Sequence, residues 1–416
     1  MIRKHSSRGA TITRAECGDA EAICGLYAQA YARGGDDGAE RNYPFPQLLD
    51  PDWVRQSISG TAIFLLAAKC DGRVAGATGA VRNIGSPCDR VSECFGLVVH
   101  EGFRKLGVGA RLFAALTGEL ADESEFIIAE TRTAESGGWR IVRECGFMPI
   151  GLAPFAHRTP AGDEGMLLTA RVSARAMNGV TRGDCLTPRG EKLRRVVLSA
   201  SCAVEPGERS VRSGAALPRR EGGRVEMRAA DSSHIDAFFQ GESRHGSGVV
   251  AFNRLCGCGT TGVRRFETLV ARGGTDGDES ACALLTWDHV DHRVRLFAVS
   301  AESEAARDAL LTELSGVLER RAAGERLVVV VDACSRALDL HMLLERLGFF
   351  PTAYYPGLIA GVAGREDAIQ YTRILNVGFT GTGDTLGVWA EADRIRRLIE
   401  PDARRVDPSS ERPNPR

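Results

Sequence analysis

Phe95-Gly96-Leu97-Val98-Val99-His100-Glu101-Gly102-Phe103-Arg104-Lys105-Leu106-Gly107-Val108-Gly109-Ala110-Arg111-Leu112 is the stretch whose reading decides the fold. Its apolar start closes a strand expected over residues 92–99, and from Gly107 an apolar period of three to four residues runs on to Leu120, as in an amphipathic helix. A strand that leaves through a glycine-bearing turn straight into a helix exposes the first unpaired N–H groups of that helix. The helix dipole adds partial positive charge where an anion can sit. Glycines at 107 and 109 allow the backbone to approach phosphate oxygens, and Arg104 and Lys105 bring further positive charge. A lone Gly-x-Gly in such a turn is also compatible with an ordinary strand-to-helix connection.

Outward from this loop the two hydrophobic periods alternate in an α/β order. A strand is expected at 11–15 and a helix at 20–31. The Tyr43-Pro44-Phe45-Pro46 break is followed by a helix through Ile58, with Asp50 as N-cap and Pro51 at its first position. Strands at 62–69 and 73–81 flank Cys70-Asp71-Gly72, a hairpin signature. After the 107–120 helix come a buried strand at 125–131, a helix at 135–145 stopped by Gly146, and a hairpin of 147–157 with 165–170. Residues 173–223 lose periodicity and read as a linker, with room for a short element at 193–199. A second series then repeats the order, with strands at 224–228, 266–272, 281–287, 294–299 and 327–331 and helices at 232–240, 302–321 and 335–347. The first series ends in Cys145-Gly146-Phe147 and the second in Leu347-Gly348-Phe349, so the chain looks duplicated. The expected division is 9–172, a linker 173–223, 224–376, and a partly disordered tail 377–416 containing one amphipathic segment at 388–399.

The length of 416 residues calls for more than one core. A net charge of -1 provides no field that would draw nucleic acid or an anionic membrane, and no stretch has the apolar length of a membrane span or a leader. A cytoplasmic protein with reduced thiols is the expectation for the 12 scattered cysteines. Cys256-Gly257-Cys258 invites a metal reading, but no second pair with ligand spacing follows, so two free thiols in a glycine-rich loop are expected, and no metal.

The loop resembles the R/Q-x-x-G-x-G/A motif of the GNAT acyltransferase superfamily, with Arg104, Gly107 and Gly109 on its defining positions. It follows the fourth strand, as in that family, and a fifth strand and a helix ending in Gly-Phe come next; the resemblance covers roughly residues 10–171. It implies an α/β (α+β) fold of two GNAT-like domains, intact in the N-terminal half and degenerate in the C-terminal half. Each would be a mixed, mostly antiparallel sheet flanked by helices and splayed between its fourth and fifth strands. It also implies acetyl-coenzyme A as donor, held by Val98, Val99, Arg104, Lys105, Leu106, Gly107, Val108, Gly109 and Ala110. Glu93 falls where many relatives carry the carboxylate that takes the proton from the attacking amine, although it would equally suit a solvated strand position. Relatives often place a proton-donating tyrosine four residues before the Gly of Gly-Phe, but Val142 stands there.

Tyr43-Pro44-Phe45-Pro46 with Asp50-Pro51-Asp52-Trp53-Val54 is similar to GNAT enzymes that acetylate the side amine of β-lysine, which also lack that tyrosine. That similarity implies a small amino-acid-like acceptor near Tyr43 and Phe45; a rigid connector is the plainer reading of the prolines. Arg132 could pair with a substrate carboxylate or cap its own loop. In the second series the matching turn, Ser300-Ala301-Glu302-Ser303-Glu304, is about six residues shorter, acidic and free of glycine, so this half is not expected to bind coenzyme A. It is expected to pack against the first half, shaping the substrate pocket or a homodimer interface. Phe349-Phe350-Pro351-Thr352-Ala353-Tyr354-Tyr355-Pro356 suits such packing or a pocket wall. The activity expected is N-acetylation of a small-molecule primary amine. Alternatives are another donor (a longer acyl-coenzyme A, an acyl carrier protein or an aminoacyl-tRNA) and a coenzyme A-sensing or scaffold protein without turnover.

Overall fold

The structure is a computed structural model, and it describes residues 10–31, 46–84, 88–133, 136–159, 162–179, 186–200, 225–230, 247–250, 266–273, 280–289, 291–322, 324–361, 364–376 and 389–404. Tyr43, Phe45 and the Cys256-Gly257-Cys258 loop lie outside them.

The first half runs β1 (Thr11–Arg14), α1 (Ala20–Tyr31), α2 (Pro51–Ser59), β2 (Ile63–Cys70), β3 (Arg73–Val81), β4 (Val91–Val99), α3 (Val108–Leu120), β5 (Phe126–Arg132), α4 (Ser136–Glu144), β6 (Met148–Thr159) and β7 (Gly162–Val172). Asp50 caps α2 as expected, its side chain accepting from the backbone of Asp52 and Trp53, with Pro51 at the first helical position. Asp71 and Gly72 both take positive φ (49° and 73°), which is what a two-residue turn needs to match the twist of β2 and β3.

Two helices follow, α5 (Ala174–Asn178) and α6 (Pro188–Ala200), and then β8 (Glu226–Ala229), β9 (Phe266–Gly273), β10 (Ala281–Asp288), β11 (Arg293–Ala301), α7 (Glu304–Ala322), β12 (Leu327–Cys334), α8 (Leu338–Arg346), β13 (Phe350–Gly361), β14 (Gly364–Leu375) and α9 (Ala390–Ala403). The stretch expected as a linker is therefore partly helical. Leu193 and Val197 of α6 are buried, and Glu191 sits beneath Arg194 and Arg195. Burial raises the Glu191 carboxyl, but its two arginine partners outweigh this and hold it below its ordinary value. Spacing alone underrated this helix because its polar face is satisfied internally.

The strands form one sheet in the order β1-β2-β3-β4-β5-β7-β6-β13-β14-β12-β11-β10-β9-β8, so the same succession is met from either edge. Among the described residues, the only parallel neighbours are β4–β5 and β11–β12. In the first half both faces are covered. In β2, Leu65 and Ala67 pack toward α1 and α2, whereas Phe64, Leu66 and Ala68 pack with the α3 residues Leu112 and Leu116 on the opposite side.

The halves join where β6 meets β13, at Gly151 opposite Ala353. A Cβ on Gly151 would lie 2.3 Å from that of Ala353, so the junction closes only around a residue without a side chain. α6 and α9 pack over it, and Trp389, at the start of α9, lies 6.0 Å from Trp139 of α4. The aromatic run after Phe349 is thus junction packing, as one of its readings held.

Candidate active site

The site grows out of an irregularity in β4. Ala77 is opposite Val98 and Gly79 opposite Phe95, so β4 carries one residue more than β3 across this interval. Gly96, at φ 66°, takes up the extra residue as a bulge. Tyr27 of α1, fully buried, donates its hydroxyl to Gly96 O and pins the bulge from below. Below it β4 and β5 are paired only from Val91 opposite Phe126 to Cys94 opposite Ala129. Above, β4 continues to Val99 and β5 to Arg132 without a register between them, so the two strands diverge into a cleft.

Glu93 stands on the next-to-last paired rung, beside Val81 and Ile128, and is buried at 7% exposure. Of the two readings of this residue, the solvated one does not hold. Its neighbour Cys94 faces the other side, among the α3 and α4 contacts. Burial, with the Glu93 carboxylate adding to it, pushes that thiol far above its ordinary range, so it is no nucleophile.

At the mouth of the cleft, β4 passes through a short 3-10 turn, Glu101–Phe103, capped by His100 Nδ1 accepting from Gly102 N (3.1 Å). Lys105 and Gly107 then adopt left-handed backbone (φ 62° and 78°), and α3 begins. The first amide to bond back into the helix is Arg111 N, to Gly107 O (3.1 Å), which leaves the amides of Val108, Gly109 and Ala110 without an intrahelical acceptor. No acidic residue lies in this first turn. Arg104 donates through Nε to Val99 O (3.1 Å), fastening the turn to the strand, a structural role beside the one expected for its charge.

The two motif glycines differ. Nothing lies within 4 Å of the place a Gly107 Cβ would take, and only the left-handed backbone reserves that position for glycine. A Cβ on Gly109 would instead meet Ile141 Cδ1 at 3.3 Å and Val99 Cγ2 at 3.4 Å, so this glycine serves the packing of α3 on β4 and α4 rather than approach to an anion. Open space, unpaired amides and the exposed Lys105 fit a diphosphate.

Arg132 is ion-paired with Glu164 of β7 (Nη2–Oε2 2.6 Å), a partner that sequence reading did not supply. Val142 is buried at 2% exposure within the α3–α4 cluster, so no hydroxyl reaches the cleft from that position. Gly96 and Tyr27 were missed as site residues; a glycine inside a strong strand was the available sign of a bulge, whereas Tyr27 reads as ordinary helix core. Among the described residues, no group of three or more His, Cys, Asp or Glu is placed to hold a metal ion, and no helix is long and apolar enough to cross a membrane.

The second half repeats this geometry with different contents. Leu284 is opposite Ala298 and Leu285 opposite Leu296, so β11 bulges at Phe297, and its pairing with β12 stops at Leu296 opposite Val331. The rung that holds Glu93 in the first half holds Arg295 here, in a buried ion pair with Asp332 that Gln370 also contacts (Nε2–Oδ1 3.1 Å). The segment Ser247-Gly248-Val249-Val250 lies along the free side of β12, with Val250 N on Asp332 O (2.8 Å) and Cys334 N on Gly248 O (2.7 Å). Only Glu302 and Ser303 separate β11 from α7. The Ser303 hydroxyl accepts from Ala306 N (3.1 Å), and Glu304 adds negative charge to the first turn.

This bulged, splayed strand pair with an anion-receptive helix start defines an acyl-transfer scaffold. Residues 32–147 match the model of the Acetyltransferase (GNAT) family, and the chain carries a GNAT domain there. That is a family of acyl-coenzyme A-dependent N-acyltransferases, and the chain is such an enzyme.

Among solved structures, the chain is similar to a GCN5-related N-acetyltransferase from Kribbella flavida (21% identity, 40% of this chain and 100% of that one, TM-score 0.35). It is similar also to a phosphinothricin acetyltransferase from Sinorhizobium meliloti in complex with AcCoA (19%, 42% and 95%, TM-score 0.35). A third is a ribosomal-protein-alanine N-acetyltransferase from Brucella melitensis (18%, 39% and 99%, TM-score 0.33). No curated protein sequence matches the chain.

Proposed function

We propose that the chain transfers an acetyl group from acetyl-coenzyme A to the primary amine of a small amino-acid-like metabolite, within a single complex of enzyme, donor and acceptor. The observation that carries this reading is the cleft between β4 and β5, with the unpaired amides of α3 at its mouth and the buried Glu93 at its closed end. When bound, the thioester supplies an activated acyl carbon. The amides of Leu106 to Ala110 hold the diphosphate, and the backbone of Val98 and Val99 lines the seat of the pantetheine arm. Glu93 takes the proton that a primary ammonium must lose before it attacks, directly or through one water.

The similarity of the 43–54 segment to β-lysine acetylating enzymes supports an amino-acid-like acceptor. Pairing with Glu164 leaves Arg132 a weaker candidate for the substrate carboxylate. The second half is read as a degenerate GNAT-like domain. The test is thiol release from acetyl-coenzyme A across a panel of diamino acids, other small amines and amine-bearing peptides. Release with the small amines supports the proposal. Release with peptides alone overturns the substrate class, and binding without release on any amine favours a sensor, a reading to which the absent tyrosine at position 142 also points.

A further inference from the structure

The hairpin of β13 and β14 leaves the second half and reaches the closed end of the cleft in the first. Ala360 N donates to Asp89 Oδ1 (2.7 Å), and Arg365 Nη2 donates to Asp89 O (2.8 Å). Asp89 is buried at 5% exposure and lies two residues before the first paired rung of β4. On the adjoining strand, the Tyr355 ring packs 6.2 Å from that of Phe126, the β5 residue opposite Val91. The Tyr355 hydroxyl is in turn held by Gln370 Nε2 (2.9 Å), which joins it to the Asp332–Arg295 pair.

The contact is built rather than incidental, because its mirror image exists. Asp291 occupies in β11's approach the place that Asp89 has before β4, each followed by a left-handed residue (His292 φ 50°, Arg90 φ 53°). Asp291 lies 3.4 Å from His157 of β6.

We propose that the second half is a clamp on the closed end of the cleft, setting how far β4 and β5 diverge, with Asp89, Arg365 and Tyr355 as positioning residues for the acyl-donor seat. The proposal rests on the coenzyme A reading of the first half. Both clamp points lie below the last rung, and Val98 lies well above it. The strands are paired up to Cys94, so the diverging arm runs from Cys94 to Val98, about 13 Å at about 3.3 Å per residue, and a change of about 6° in splay at the last rung moves the seat by about 1.4 Å. That exceeds the roughly 1 Å at which misplacement costs about 100-fold in rate. The amides at the start of α3 belong to the helix and its turn, and a change of splay leaves them intact.

The two parts of the donor separate the clamp from simple destabilisation. Coenzyme A, which carries the pantetheine arm, and adenosine 3′-phosphate 5′-diphosphate, which keeps the diphosphate without the arm, are titrated calorimetrically into the full-length wild type and variants. In Asp89→Ala, coenzyme A binding is expected to weaken about tenfold and the nucleotide to change less than about twofold. Asp89→Asn keeps the acceptor for Ala360 N and should restore coenzyme A affinity. Equal weakening of both ligands, or of neither, overturns the clamp. Should Asp89→Ala fail to fold, Tyr355→Leu, which removes the ring from Phe126, is read with the same pair of ligands and the same criteria. A wild type that binds neither ligand overturns the coenzyme A reading itself, and the clamp with it.

Discussion

The two ends of the sheet share a strand order, a bulge in the fourth strand of each half and a divergence from the fifth, yet the helix starts that follow those strands differ. The first half leaves β4 through His100 to Gly107 and presents open amides with no acid in the first turn of the helix. The second turns from β11 into α7 across two residues, and Ser303 and Glu304 occupy the helix start with a hydroxyl and a carboxylate. At the central rung a single buried acid, Glu93, is exchanged for a closed ion pair, Arg295 with Asp332. Along β12 the chain's own Gly248 to Val250 takes the hydrogen bonds of the diverging strand. A duplicated architecture thus keeps its frame while its chemistry is decided by a few side chains and the length of one turn.

Under the proposed function one rung serves stability and the other catalysis, and the largest expected effect tests the first role. Arg295→Met strips the ion-pair partner from buried Asp332 and should cost about 3–5 kcal/mol of stability in denaturant unfolding. Glu93→Gln should do the reverse, lowering kcat by about 10²–10³ with little change in melting temperature or donor affinity, followed by thiol release. A variant that melts early but turns over normally would make the two rungs alike.

Next comes the turn. Gly107→Val forces a β-branched residue into left-handed backbone, at about 1–2 kcal/mol, and fills the space beside the free amides. The KM for acetyl-coenzyme A should rise about 100-fold from lost docking, while the backbone strain is read in stability. Gly109→Ala should have the smallest effect, under about 1 kcal/mol in stability and a few-fold in KM, because Ile141 and Val99 need shift only slightly. Equal losses at 107 and 109 would mean that the two glycines share one role.

Much of this frame was legible in the sequence. Asp-Gly between two apolar runs specified the β2–β3 turn, Asp50-Pro51 opened α2, and the Gly-Phe stops marked the repeat, because each depends on local chemistry. The turn after β4 was legible for the same reason. The use of Gly109 was not, since it depends on Ile141, thirty-two positions away and folded back through β5 and α4. Nor was the equivalence of Glu93 and Arg295, which appears only once the β4–β5 and β11–β12 registers are laid over each other. α6 hid in a stretch rich in Gly, Pro, Ser and Arg because its glutamate and arginines satisfy one another. The partner of Arg132 was likewise out of reach, being fixed by the pairing of β5 with β7.

Amide hydrogen exchange of the full-length protein with and without coenzyme A probes the central difference most directly. Protection should appear in the peptide spanning Leu106 to Ala110 and be absent from the one spanning Glu302 to Arg307. Protection at the start of α7, with none at the start of α3, would contradict the account.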